Sequence, residues 1–246
     1  MNKKYEFTGE TKIYKGRELR RIRRIKDGLI GGWIESERNL SQKGDCFVYD
    51  EGMVYGNGKV YGNSIVYGNG KVFGNGEVFG NGKISDNGMV YGNGMVFHNG
   101  MIFGNGVVYD KGLIYGNGVV CDNGKVFGYG EVCDNGRVCK NGLVHGDGVV
   151  FGQGEVCGKG EVFKGKIIGV VSLPYKDIFQ YQCKNRALTA ILTEDDEILY
   201  TVGCQKNMTK ETFLFRIYNE NGGLEENPHR KEYLKLIPLI EQYFKN

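Results

Sequence analysis

A six-residue repeat of branched aliphatic residues governs half of this chain. Stepping by six from Val48 to Ile168, all 21 positions are Val or Ile. The residue two places earlier is Gly at 18 of 19 positions between Gly52 and Gly160, and Ser64 is the exception. Alternate residues of an extended strand share a face, so each repeat sends one aliphatic and one small side chain to the same side. The repeat therefore predicts short strands with a common buried face.

Gly-Asn pairs follow most of these strands, as in Val60-Tyr61-Gly62-Asn63. Both residue types tolerate the positive φ that a sharp corner requires. If three hexads close one coil, equivalent positions stack 18 residues apart at the ~4.8 Å spacing of a parallel sheet. Residues 48–168 would then form about 6–7 coils. A meander of hairpins turned by Asn-Gly is the alternative, but its four-residue strands would enclose little core.

The unit V-[YF]-G-N-G-x resembles that of the hexapeptide-repeat family, in which an aliphatic residue follows a small residue by two places. This resemblance implies an all-β left-handed parallel β-helix with three hexads per coil. Family members often carry Ala or Ser where this chain has Gly. Gly31-Gly32-Trp33-Ile34 and Asn39-Leu40-Ser41 also resemble the leader of members that are common in phage and prophage genomes and are often labelled transferases.

The loss of the period at both ends predicts three regions. Residues 1–46 are expected to form an N-terminal cap in which Trp33 and Ile34 cover the open core. Residues 47–168 form the β-helix, and residues 169–246 form a small α+β domain. Exposed strand edges at the ends of such a column invite aggregation, so we expect both ends to be covered.

In the last region, the residue pattern predicts three strands and two helices. The strands are Ile178–Cys183, Ala187–Thr193 and Ile198–Gly203. Thr209 caps a helix that contains Phe213 and Ile217 and ends at Gly222-Gly223. Asn227-Pro228 opens a second helix, kinked at Pro238, whose apolar face is Tyr233, Ile237, Ile240 and Phe244.

Composition limits the cellular setting. No run approaches the ~18 apolar residues of a membrane span, and the charged N-terminus lacks the features of a secretory signal. The seven cysteines include no CxxC pair, so we expect reduced thiols rather than a disulfide framework. The chain is expected to be cytoplasmic and not to associate with membranes.

Candidate catalytic residues are few. Acyltransferases of the hexapeptide-repeat family typically use a histidine near a groove between subunits, together with loops that hold the acyl donor. The resemblance therefore makes a CoA-dependent acyltransferase the alternative function, with His98 or His145 as the base. A purely structural role for His98 and His145 is favoured, because the repeat contains no insertion that could hold an acyl donor. His229 with Cys204 is a further base and nucleophile pair, for which a buried thiol is the simpler interpretation.

Three cysteines recur at the repeat distance. Cys121, Cys139 and Cys157 are each 18 residues apart and should stack on one outer face. Such thiols are able to bind a soft metal, but a stripe over which another element packs is favoured. We therefore expect no catalytic residue, metal or cofactor.

An apolar belt surrounds the middle coils. Outside residues 89–119, the position before the aliphatic residue is mostly charged, whereas within them the positions on both sides are apolar. The belt consists of Met89, Tyr91, Met95, Phe97, Met101, Phe103, Val107, Tyr109, Leu113, Tyr115 and Val119. Such a patch is typical of an interface, so the belt predicts self-association as a dimer or trimer. Stacked aromatic ladders are the alternative explanation.

A basic run lies in the N-terminal region, where residues 1–46 hold 12 Lys and Arg against 7 Asp and Glu. Its members are Arg20, Arg21, Arg23, Arg24 and Lys26. They either contact phosphates of an anionic partner or form the solvated face of a packed element. The function predicted from these features is a non-enzymatic binding protein with a host protein or ribonucleoprotein as partner. One example is a phage accessory protein that inhibits or sequesters a bacterial defence component, as an anti-CRISPR protein does.

Overall fold

The chain forms a parallel β-solenoid of about eight coils, followed by a small sheet and two helices. This computed structural model describes residues 3–182, 187–203, 205–219 and 228–245. Cys204, Gly222, Gly223 and Asn227 therefore lie outside the described residues, as does Cys183 at the end of a predicted strand.

Strands of two residues recur every six residues through the repeat. The N-terminal strands are β1 (Tyr5–Tyr14), β2 (Arg17–Arg24) and β3 (Ile30–Ile34). The repeat contains β4 (Phe47–Val48), β5 (Met53–Val54), β6 (Lys59–Val60), β7 (Ile65–Val66), β8 (Lys71–Val72), β9 (Glu77–Val78), β10 (Lys83–Ile84), β11 (Met89–Val90), β12 (Met95–Val96), β13 (Met101–Ile102), β14 (Val107–Val108), β15 (Leu113–Ile114), β16 (Val119–Val120), β17 (Lys125–Val126), β18 (Glu131–Val132), β19 (Arg137–Val138), β20 (Leu143–Val150), β21 (Glu155–Val156), β22 (Glu161–Ile167) and β23 (Val170–Val171).

Parallel pairing between strands 18 residues apart builds the column. Met95 pairs with Leu113 and Val96 with Ile114, and the same register links the neighbouring coils. The amide of Phe97 donates to the carbonyl of Ile114 at 2.9 Å, so backbone hydrogen bonds run along the column. Hairpins would pair antiparallel, so the meander alternative is wrong for this region.

The repeated Val and Ile residues form one continuous core. From Val48 to Val162 they are buried, as the period predicts. The prediction is wrong at its last position: Ile167 is buried and pairs with Val150, whereas Ile168 is only half-buried. Val150 and its partner Ile167 are 17 residues apart instead of 18, so the inward-facing position falls one residue earlier than the period predicts.

Side chains outside the core also stack from coil to coil. The Nδ2 atom of Asn81 donates to Oδ1 of Asn99 at 3.1 Å, and Asn99 donates in turn to Asn117 at 3.2 Å. Exposed corner asparagines thus form amide ladders that add side-chain hydrogen bonds to the backbone pairing. These ladders explain why Asn follows the corner glycine so regularly.

An antiparallel hairpin of β1 and β2 covers the N-terminal end of the column. β2 pairs with β3, and β3 pairs in parallel with β5, so the coils begin within the predicted cap. Ile34 lies in the core as predicted, but the expectation that Trp33 covers the core is wrong. Trp33 pairs with Met53 and packs on the outer surface, because successive strand residues point to opposite sides.

The C-terminal region combines an antiparallel sheet with two helices. The sheet contains β24 (Asp177–Gln182), β25 (Ala187–Leu192), β26 (Ile198–Val202) and β27 (Gln205–Met208), of which the last was not predicted. The helices are α1 (Lys210–Asn219) and α2 (Pro228–Tyr243).

Both helices follow the local sequence signals. The Thr209 hydroxyl accepts a hydrogen bond from the amide of Thr212 at 3.3 Å and so caps α1 as predicted. The predicted apolar face of α2 packs into the core of this region, with Ile240 fully buried. The helix α2 continues through Pro238. Among the described residues, no helix has the length and apolar character needed to cross a membrane.

Candidate anion-binding cleft at the N-terminal cap

A cleft of about 870 Å³ lies between the turn that joins β1 to β2 and the neighbouring corners of the solenoid. Four cationic side chains line it, and Glu35 is its one acidic lining residue. The cations are Lys15, Arg17, Arg38 and Lys59. They come from three separate segments, the β1–β2 hairpin with Lys15 and Arg17, the segment with Arg38 and the coil with Lys59, which the coiling of the chain brings together.

Stacked aromatic rings form part of the cleft wall. The ring centroids of Tyr55 and Phe73, one coil apart, are separated by 5.0 Å and their planes differ by 2°. Tyr55 is buried, and this burial raises the pKa of its hydroxyl to about 12. Its hydroxyl is therefore neutral at physiological pH, and the wall brings no negative charge to the cleft.

Internal hydrogen bonds hold the polar wall of the cleft in place. The carboxylate of Glu35 accepts from the backbone amide of Gly56 at 2.6 Å and from Arg17 at 2.9 Å. The buried Asn39 amide donates to the carbonyls of Gly56 and Gly58, at 2.9 Å each. The Glu35 carboxylate is thus already hydrogen-bonded within the chain, and the corner at Gly56–Gly58 is held by three hydrogen bonds.

Two of the four cations have no carboxylate partner among the described residues. Arg17 pairs with Glu35, and Lys59 pairs with Glu77 at 3.0 Å. Lys15 and Arg38 are exposed and form no ion pair within the part of the chain that the structure describes. An exposed cluster with excess positive charge attracts anions and binds them through charge-assisted hydrogen bonds.

The four arginines of the basic run predicted from the sequence lie on β2, Lys26 lies in the turn that follows, and carboxylates of the chain neutralise most of the arginines. Arg23 donates to Glu6 at 2.5 Å, and Arg24 donates to Asp27 at 2.6 Å. The hydrogen bond with Asp27 raises the pKa of Arg24.

The remaining members of the run also have neighbours. Arg21 lies 3.3 Å from Glu51, Arg20 lies 4.0 Å from Glu18, and Lys26 is exposed. The guanidinium of Arg21 also sits 5.0 Å from the ring centroid of Trp33. These contacts favour the interpretation of the run as the solvated face of a packed element. Phosphate binding by the run stays a prediction.

The apolar belt consists largely of side chains stacked on one another. Phe97 stacks between Phe79 at 4.9 Å and Tyr115 at 5.2 Å, and Tyr91 stacks on Tyr109 at 5.1 Å. Aromatic ladders therefore account for the rings, which are half-buried.

The methionines of the belt are half-buried as well, and Val107 is buried. Met95 and Leu113 are neighbours on adjacent coils and present a continuous apolar strip. Self-association through the belt stays a prediction.

His145 has a carboxylate partner that the sequence did not indicate. Its Nε2 atom lies 2.6 Å from Oε1 of Glu161 on the next coil, and its ring stacks on Phe127 at 4.7 Å. The same spacing of 16 residues joins Tyr61 to Glu77, so the column geometry produces this contact repeatedly.

The other two histidines lie apart from His145. His98 occupies an exposed corner with φ of 52°, where Gly is usual. His229 lies in the first turn of α2, 3.6 Å from Glu232. Its proposed partner Cys204 lies outside the described residues.

Comparison with known proteins adds no family assignment. No protein-family model matches the chain, and no curated protein matches its sequence.

Proposed function

We propose that this chain is a non-enzymatic binding protein whose N-terminal cap docks an anionic partner in the cleft. The observation that carries the proposal is the set of exposed cations that line the cleft with Glu35, two of which have no carboxylate partner among the described residues. The coils behind them hold the backbone of these residues together, so binding does not have to assemble the cluster.

Single-stranded RNA is the anionic partner that we propose for this cleft. Its phosphates match the lysine and arginine donors of the cleft, which form charge-assisted hydrogen bonds with phosphate oxygens. This choice agrees with the predicted ribonucleoprotein partner. An acidic polypeptide offers negative charge but no phosphate oxygens, so poly-glutamate serves as the competing ligand in the test.

Fluorescence anisotropy with labelled single-stranded RNA tests the proposal on the full chain. We expect the double variant Lys15→Glu/Arg38→Glu to lose at least tenfold in affinity and to show a weaker salt dependence, because two phosphate contacts are lost. The matched control is Lys83→Glu/Lys125→Glu, which reverses two exposed lysines on the middle coils. Equal losses in both variants, or tighter binding of poly-glutamate than of RNA, would contradict the proposal.

These cleft variants are better tests than reversal of the arginine run. Arg21, Arg23 and Arg24 each have a carboxylate partner within the chain, so Glu at those positions would place like charges together. A loss of binding would then not distinguish a lost contact from a disturbed cap. Lys15 and Arg38 avoid this ambiguity.

We also propose the finer features of the fold and setting. The 18-residue register supports three hexads per coil, and the resemblance to hexapeptide-repeat proteins supports a left-handed coil. The same resemblance supports a phage accessory protein that sequesters a defence ribonucleoprotein. Capture of an RNA-bound effector from a bacterial lysate, lost on nuclease treatment and in the cleft variant, tests that setting.

One observation favours the acyltransferase as a second candidate function. The contact between His145 and Glu161 is the arrangement in which a carboxylate orients an imidazole base. Turnover of acetyl-CoA that His145→Ala abolishes would support this candidate. A protein that fails to bind CoA would exclude it.

A further inference from the structure

Three thiols form a buried column on one side of the solenoid, which we name the thiol ladder: Cys121, Cys139 and Cys157. Each cysteine directly follows a core valine of the eight-stranded sheet, in which β16 pairs with β19 and β19 with β21. The three side chains are buried and pack together with Phe103, Val119 and Val170. Water is therefore largely excluded from the sulfur atoms.

Neighbouring sulfur atoms of the thiol ladder lie close enough together for one metal ion to bridge them. The Sγ atoms of Cys121 and Cys139 lie within 4.8 Å of each other, as do those of Cys139 and Cys157. Two metal–sulfur bonds of about 2.3 Å in a line span about 4.6 Å, whereas a tetrahedral angle brings the sulfurs to about 3.8 Å. Thiols repeated at the coil spacing fit the linear arrangement better.

Charged groups at both ends of the thiol ladder complement an anionic metal–thiolate unit. Arg137 donates to Sγ of Cys121 at 3.4 Å, and Lys206 of β27 donates to Sγ of Cys157 at 3.3 Å. A guanidinium and an ammonium group directed at sulfur stabilise thiolates.

Two carboxylates also face the thiol ladder. The thiol of Cys139 donates to Glu155 at 3.7 Å, and Lys206 holds this carboxylate at 3.2 Å. The carboxylate of Asp122 lies within 4.8 Å of the first two sulfurs. One cation and one carboxylate therefore accompany each pair of thiols.

We propose that the thiol ladder binds Cu(I) between two neighbouring sulfurs. The thiol of Cys139 belongs to both pairs, and either Cys121 or Cys157 supplies the second sulfur. Soft thiolate ligands select Cu(I) over hard divalent ions. Two S–H bonds break and two Cu–S bonds form for each ion bound, and both protons pass to solvent. Copper remains Cu(I), and the resulting unit carries one negative charge, with Arg137 or Lys206 donating a hydrogen bond to one of its sulfurs.

Burial of the three thiols raises their pKa values and so determines their protonation state before copper binds. Burial raises the pKa of Cys139 to about 11 and also raises that of Cys121 and Cys157. The thiols therefore retain their protons at neutral pH when no soft metal competes for the sulfur.

The test is an anaerobic titration of the reduced full-length protein with Cu(I) held in a coloured bis-chelate. We expect the protein to remove at least one Cu(I) per chain from the chelate. X-ray absorption should then show two sulfur neighbours. We expect Cys139→Ser and Cys139→Ala each to weaken copper binding at least tenfold, because this thiol belongs to both pairs. We expect Arg137→Gln to weaken it less, because the thiols remain.

Cys133→Ser is the matched control, since Cys133 is also buried and follows a core valine but lies outside the thiol ladder. It should bind copper as the unmodified chain does. Copper retention in both Cys139 variants, three or more sulfur neighbours, or preferential uptake of Zn(II) would overturn the proposal. RNA binding by the cleft uses other residues, so failure of either proposal leaves the other unaffected.

Discussion

Replacing Gly118 by alanine tests the idea that the small position of each repeat is limited by backbone contact between coils. A Cβ atom at Gly118 would lie 2.4 Å from the carbonyl oxygen of Val132 and 2.9 Å from its carbonyl carbon. The clash involves backbone on both sides, so a side-chain rotation cannot relieve it. The coils must separate locally, at the expense of the pairing between them.

The magnitude follows from the cost of overpacking a dense core. Such insertions typically destabilise by about 1–3 kcal/mol. For a chain of this size, each kcal/mol lowers the melting temperature by about 2–4 °C, so we expect a decrease of about 2–12 °C. Thermal unfolding of the full chain, followed by circular dichroism, measures it.

Gly152→Asn is the matched control at a corner of the same solenoid. Gly152 has φ of +59°, and a Cβ atom there would meet nothing within 4 Å. Asparagine tolerates this left-handed conformation, so we expect a change of less than about 1 kcal/mol. Ser64 shows that one small position accepts a larger residue, where its hydroxyl lies 2.8 Å from the carbonyl of Tyr61. The reasoning fails if Gly118→Ala has the same melting temperature as the unmodified chain, or if Gly152→Asn is equally unstable.

Three further predictions concern the belt, the cap and the amide ladders. Met95→Lys/Leu113→Lys should convert a dimer or trimer to a monomer in sedimentation; an unmodified chain that is already monomeric would contradict the belt interface. Burial acts to raise the pKa of Glu51, but hydrogen bonds from Lys12 and Trp33 outweigh it and lower the pKa. The stability that Glu51 contributes is thus present above its unfolded pKa and is lost as the pH falls through the lower folded pKa. Glu51→Gln should therefore reduce the melting temperature by a few degrees at pH 7 and not at pH 3. A loss that persists at pH 3 would refute this assignment. Asn99→Ala should lower the melting temperature by about 2–12 °C, since it removes two ladder hydrogen bonds of about 0.5–1.5 kcal/mol each; an unchanged value would show that solvent replaces both.

Local signals in the sequence predicted much of the C-terminal region and missed one strand. Thr209, Pro228 and the apolar face around Ile240 each encode a helix feature through neighbours within four residues. The strand β27 was missed because Gln205–Met208 has neither alternating polarity nor β-branched residues. Its place in the sheet depends on pairing with β26, which no local pattern records.

The candidate sites were less predictable than the fold. A run of neighbouring arginines in the sequence predicted a binding site at Arg20–Arg24, whereas the cations that line the cleft lie at positions as far apart as Lys15 and Lys59. The thiol spacing was visible in the sequence, but the ends of the thiol ladder depend on Arg137 and on Lys206 from a different sheet. The position of Glu161 beside His145 likewise follows from coil stacking.

The sequence by itself determined the strand period, the inward direction of each valine and the small residue that accompanies it. These features are local, because alternation along a strand and the φ preferences of corner residues act within six positions. Only the tertiary structure decided which charges neutralise one another, where Trp33 lies and how the last coil shifts the core to Ile167. Apart from the local pairs Arg24–Asp27 and Arg20–Glu18, those outcomes depend on contacts between residues far apart in the sequence, such as His145 with Glu161 and Lys206 with Cys157, and such contacts exist only once the coils have stacked.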